Sequence, residues 1–151
     1  VNASLYLIPA PLAASTPEMV EAIKKESAVI EIARMHTTAS CSVIGIGGMD
    51  DNATVIKSGI IQKNDFDFLK MRGAAGDVLA HFFDENGTFI PVSTEERLIT
   101  YSPEALKKLH NVIAVAAGTV KRTAIRAALR GQYPNILITD ETTAQWLIEN
   151  K

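Results

Sequence analysis

From Ser102 onward the chain alternates between two kinds of pattern. Ser102-Pro103-Glu104 opens a helix ending near His110, and an apolar strand runs from Val112 to Ala116. A helix spans Lys121 to Arg130, a strand spans Asn135 to Thr139, and a last helix spans Glu141 to Glu149. Strands separated by helices with short connections must run parallel, because each right-handed crossover returns the chain to the same edge direction. This predicts an α/β domain built on a doubly wound parallel sheet, with helices on both of its faces.

The rest of the chain is read around that unit. Leu5 to Ile8 reads as a short buried strand stopped by Pro9 and Pro11. Thr16-Pro17-Glu18 is a helix entry, with Thr at the N-cap and Pro at the first helical position. Helical spacing then continues from Met19 to about Met35, with a break near Glu26-Ser27. Ser42 to Gly48 reads as a buried strand running into the glycine turn Gly45-Ile46-Gly47-Gly48. Asn64 to Leu69 reads as a helix. The segment from Arg72 to Asp77 reads as a turn into a further helix, Val78 to Phe83. Asn86-Gly87 is a turn signal, followed by irregular strand or hairpin structure. With 47% hydrophobic residues, no repeat and no linker, residues 1–151 read as one domain.

Chemistry concentrates where the Val112 strand meets the next helix. Arg122, Arg126 and Arg130 share one stripe of that helix, while Ile125, Ala128 and Leu129 form its sheet-facing side. Lys121 lies about 40° around the wheel from Ile125, over the apolar face, apart from the arginines. The arginines therefore read as solvated surface. Lys121 points toward the sheet at a turn that an open parallel sheet uses for ligands. The first helical turn offers unpaired N–H groups and a positive dipole end. Gly118 and Thr119 let a ligand approach the backbone, so an anion such as a small-molecule phosphate suits the site. The alternative is that Gly118 only makes the turn and Lys121 reaches out to water.

Two other glycine turns are weighed beside it. Gly76-Asp77 places a carboxylate at an expected helix start, where it either caps the helix or accepts from sugar hydroxyls. The turn containing Gly47 lacks the spacing of a dinucleotide fingerprint, so no nicotinamide site and no other cofactor is expected. His36, His81 and His110 have no metal-ligand spacing, so no metal site is expected either. Cys41 cannot form an internal disulfide and reads as a buried structural thiol. Arg72 and Arg97 read as surface salt-bridge residues, or as second contacts to an anion. Trp146 reads as core or oligomer packing. A net charge of −2 argues against broad nucleic-acid affinity. Without a signal-peptide pattern or a spanning apolar run, a cytoplasmic location and no membrane association are expected.

Several segments, taken in order, resemble the sugar-binding effector domain of SorC/DeoR-type bacterial transcriptional regulators. They are LIPAPL, SVIGIGG, SGII followed by RGAAGDVLAHFFDENG, LITYSPEALKKL, VIAVAAGTVKRTAIRAALRG and NILITDETTAQWLIE. The resemblance implies a fold similar to glucosamine-6-phosphate deaminase and ribose-5-phosphate isomerase, in a regulator with no catalytic residues. It implies a phosphorylated sugar as effector, with Asp77 on sugar hydroxyls, Lys121 on a phosphate, and the turn Gly118-Thr119-Val120 beside them. Gly76 and Gly47 complete the implied set. It also implies assembly into dimers or tetramers. Operator DNA would be bound through an N-terminal helix-turn-helix domain absent from this chain, and not through the arginine stripe. The chain starts without Met and lacks the family's first effector-domain strand, so it is expected to be an incomplete domain from a longer protein. Ala117 stands where family members often have a second glycine.

The rival reading is a sugar-phosphate isomerase or deaminase on the same fold. Asp77 would then be the base and Lys121 the electrophile, although no histidine stands on a pocket turn to assist them.

Overall fold

The computed structural model describes residues 2–150. Two three-stranded sheets share the chain. The first is parallel, in the order β1 (Ser42–Gly45), β5 (Val112–Val115), β6 (Ile136–Ile138). The second is antiparallel, in the order β2 (Gly47–Gly48), β3 (Ala74–Val78), β4 (His81–Asp84). Only Ile46 separates β1 from β2, and it is fully buried where the chain passes from one sheet to the other.

The parallel half follows the alternation. β5 pairs with β1 from Ser42↔Val112 to Gly45↔Val115, and with β6 from Ile113↔Ile136 to Val115↔Ile138. A 3-10 turn at Thr119–Lys121 leads into α6 (Arg122–Arg130), and α7 (Glu141–Glu149) follows β6. Ala124, Ile125, Ala127 and Ala128 are buried between the sheets, packed with Ile44, Val112 and Ala114 on one side and Ala75, Val78 and Phe83 on the other. Short side chains on α6 allow that approach. A Cβ on Gly76 would lie 2.5 Å from the Ala124 Cβ and 2.7 Å from the Gly47 carbonyl, so β3 needs a glycine beneath the helix. Leu129, expected on the sheet side, is instead exposed at the edge of that face.

Helices cover one face of the parallel sheet. On the other, Val43, Val115, Ile136 and Ile138 are exposed side by side, with Val43 at 66%. The expectation of helices on both faces is therefore met on one face among the described residues.

The N-terminal helices agree with their signals. The Thr16 hydroxyl accepts from the Met19 N–H at 3.3 Å and caps α1 (Pro17–Lys24), and after the break α2 runs from Ser27 to Thr37. Two short helices, α3 (Thr54–Lys57) and α4 (Lys63–Met71), precede the hairpin, and α5 spans Pro103–Leu106.

Three further expectations fail. Leu5 to Ile8 form no strand and are exposed, Leu5 at 80%, because among the described residues no strand offers its edge to their backbone. Val78 to Phe83 form no helix: Val78 ends β3, Leu79-Ala80 make the tight turn of a β-hairpin, and β4 follows. Both turn residues have positive φ, 53° and 67°, the conformation of a two-residue hairpin loop that ordinarily takes Asn-Gly. Gly47-Gly48 form no glycine turn; they are β2, paired with Asp77 and Gly76.

A candidate ligand site at the strand ends

A cavity of about 390 Å³ lies at the carboxyl end of β1, lined by Gly45 to Gly48, Asp50, Asn52, Ala53, the first turn of α3, Asp77, Leu79, Ala80 and Lys121. Crevices beyond the carboxyl ends of parallel strands are where open α/β sheets hold ligands.

Asp77 reaches the cavity from β3. It stands directly across from Gly47, and a Cβ on that glycine would overlap the Asp77 carboxylate. The side chain thus occupies the volume that Gly47 leaves free. It is 8% exposed, and burial pushes its carboxyl from an ordinary 3.8 up to about 6. The Ala80 N–H, which donates to Oδ2 at 3.2 Å, acts in the opposite direction, as do the charges of Lys121 and His81. Asp77 caps the hairpin turn instead of a helix, and that contact helps hold Leu79 and Ala80 in their left-handed backbone.

Lys121 reaches the cavity from the opposite element. It closes the 3-10 turn at the start of α6, and its stem passes close to bare Gly48. Its ammonium donates to the Ile46 carbonyl at 2.9 Å. The division between Lys121 and the three arginines is therefore real in space. The arginines do not simply face water, however. Arg122 and Arg126 are half-buried, with guanidinium groups 6.0 and 5.2 Å from the Trp146 ring centre. Arg122 donates to the Thr142 carbonyl at 3.1 Å and Arg126 to that of Asn150 at 3.4 Å, so they clamp α7 onto α6. Arg130 is exposed and donates to the Glu85 carbonyl at 3.2 Å.

Of the residues singled out in the sequence, Asp77, Lys121 and Gly47 meet in this cavity. Gly76 does not line it and serves the packing of α6. Gly118 and Thr119 lie outside the lining, on the adjoining turn between β5 and α6. Gly118 has φ +100° and ψ 152°, a region open to glycine alone in practice, and its N–H donates to Asp140 Oδ2 at 2.8 Å. Sequence reasoning passed over Asp140, and also Asp50 and Asn52 in the cavity wall. The signal for Asp140 was present, since Asp before a helix is an N-cap, but its second contact depends on β5 and β6 being neighbours.

Other expectations resolve more simply. Cys41 is exposed, not buried, because it lies just ahead of β1 and outside the packed layers. Arg72 and Arg97 do not line this cavity. Among the described residues no group of three or more His, Cys, Asp or Glu side chains is placed to hold a metal ion, and no helix is long and apolar enough to cross a membrane.

A bare-glycine strand set between a buried carboxylate and a lysine lines the cavity at the mouth of the parallel sheet of an α/β domain. The chain belongs to the family of sugar-binding domains whose model matches residues 1–149. It is 35% identical over 145 residues to the transcriptional regulator LsrR of Klebsiella pneumoniae, covering 94% of this chain and 45% of that protein. It is 34% identical over 143 residues to the erythritol catabolism regulatory protein EryD of Brucella abortus, covering 95% and 45%. The full-length sorbitol operon regulator SorC of Klebsiella pneumoniae superposes with a TM-score of 0.81 at 26% identity, over 91% of this chain and 44% of that one. The chain therefore spans under half the length of these relatives.

Proposed function

We propose that this chain is the effector-sensing part of a bacterial transcriptional regulator and that its ligand is a phosphorylated sugar. In this reading Asp77 accepts hydrogen bonds from sugar hydroxyls. Lys121 neutralises the phosphate, with the Gly118-Thr119 turn beside it at the positive end of the α6 dipole. The observation that carries the reading is the convergence of Asp77 and Lys121, from two different sheets' elements, on one cavity. The regulator names of LsrR and EryD support it.

Residues 1–151 are then the C-terminal part of a longer cytoplasmic protein that binds operator DNA through a separate N-terminal helix-turn-helix domain. That protein assembles as a dimer or tetramer and turns nothing over. The apolar face carrying Val43, Val115, Ile136 and Ile138 supports the incompleteness, since a sheet of this kind is buried on both faces.

The test is a thermal shift of the full-length protein against a panel of sugar phosphates. Ligand at a hundred times its dissociation constant adds about 2.7 kcal/mol to stability. Absence of any shift across the panel rejects the reading. One observation favours an enzyme instead: a buried carboxyl raised to about 6 is suited to general-base work. Turnover of a sugar phosphate, abolished by Asp77→Asn, would establish that alternative.

A further inference from the structure

The contacts of Asp140 exceed what a helix cap requires. Capping α7 needs one acceptor for one N–H, and a serine supplies that as well as an aspartate does. Here Oδ1 accepts from the Thr143 N–H at 2.9 Å and the Thr142 hydroxyl at 2.6 Å. Oδ2 accepts from the Thr143 hydroxyl at 2.6 Å and from the Gly118 N–H at 2.8 Å, twenty-two residues back along the chain. Four donors use the carboxylate's full accepting capacity. They also stabilise its charged form and hold its pKa well below the usual carboxylate range.

The Gly118 contact leads to the ligand cavity. The other end of the same residue, its carbonyl, accepts the Lys121 N–H at 3.0 Å and starts the 3-10 turn. Lys121 then extends to Ile46 at the cavity wall. A continuous path of hydrogen bonds and one residue's backbone therefore joins Asp140 to the root of Lys121. Gly118 lies in a backbone region that persists only where neighbours hold it. The Ala116 N–H, bonded to the Ile138 carbonyl at 3.1 Å, fixes the strand just before it.

We propose that Asp140 is a positioning residue for anion recognition: through the Gly118 backbone it sets where Lys121 enters the cavity, without touching the ligand. The proposal rests on the reading of Lys121 as the phosphate contact. It extends the site to a residue whose carboxylate is fully occupied within the protein.

The experiment measures, in the full-length protein, the ratio of affinities for a phosphorylated sugar and its unphosphorylated counterpart. Ribose 5-phosphate with ribose, glucose 6-phosphate with glucose, and erythrose 4-phosphate with erythrose serve as probes. Wild type is expected to prefer the phosphorylated member of at least one pair by a hundredfold or more, and Lys121→Met to abolish the preference. Asp140→Ser keeps a cap for the Thr143 N–H but is too short to reach Gly118 as well. It is expected to lower the ratio at least tenfold while the melting temperature stays within a few degrees. A wild-type ratio in Asp140→Ser overturns the proposal. If Asp140→Ser does not fold, Asp140→Asn decides: its amide oxygen still accepts from the Thr143 N–H, while its NH2 group cannot accept from the Gly118 N–H. A lowered ratio there supports the proposal and an unchanged one overturns it. A wild type without phosphate preference, or a Lys121→Met variant that retains it, removes the underlying reading of Lys121 and the proposal with it. The wild-type and Lys121→Met arms show that failure apart from the Asp140 arm.

Discussion

The two charged residues that meet in the cavity are held in opposite ways. Lys121 stands at the start of a regular helix, half-buried, with a long stem and its ammonium on a neutral carbonyl. Asp77 is short and buried, and it stands beside a hairpin turn whose two residues adopt left-handed backbone without being glycine or asparagine. One wall of the site is regular structure carrying an adaptable side chain. The other is an immobile side chain on a strained turn. The difference lies in what each wall costs: the Asp77 wall holds a buried carboxyl and two left-handed residues that are not glycine, whereas the unusual backbone at the root of Lys121 is carried by a glycine.

The largest effect expected from that contrast is on pH dependence. With Asp77 raised in the folded state, the native protein binds more protons than the unfolded chain between about 4 and 6. Its contribution therefore favours folding below that window and is lost as pH rises through it. A rise from 3.8 to about 6 corresponds to about 3 kcal/mol. Asp77→Asn, which retains an acceptor for the Ala80 N–H, should gain about that much relative to wild type between pH 4 and pH 7. Urea unfolding at the two pH values measures it, and an unchanged difference would remove the account of Asp77.

A smaller effect tests the turn. Replacing Leu79-Ala80 with Asn-Gly supplies the residues that this backbone prefers and should stabilise the protein by about 2 kcal/mol. Destabilisation would mean that the Leu79 and Ala80 side chains contribute more to the cavity wall than their backbone costs. The smallest effect belongs to the other wall. Lys121→Met should change stability by no more than about 1 kcal/mol, since a half-exposed hydrogen bond is all it removes. A larger loss would place Lys121 in the fold instead of the site.

Legibility in the sequence followed the same division. β5, α6, β6 and α7 were readable because strand and helix alternate with distinct periods, and wheel geometry alone separated Lys121 from the arginines. The β3–β4 hairpin was not readable, because both faces of its strands are buried. That erases the period of two by which a strand is recognised, and the turn carries neither glycine nor asparagine. Asp77 was singled out with the wrong local structure: a carboxylate beside glycines is visible, but the strand partner that buries it is not. Leu5 to Ile8 show the converse error, since an apolar run makes a strand only where another strand accepts it. The clamp of Arg122 and Arg126 on Trp146, and the second contact of Asp140, depend on which elements lie side by side. No local pattern encodes that.

The central claim is that Asp77 and Lys121 belong to one ligand site. Isotope-edited NMR can follow the Asp77 carboxyl carbon and the Lys121 side-chain nitrogen while the sugar phosphate that binds tightest is titrated into the full-length protein. The account predicts that both signals move along a single isotherm with one dissociation constant. Signals that stay still, or that follow two different isotherms, would contradict it.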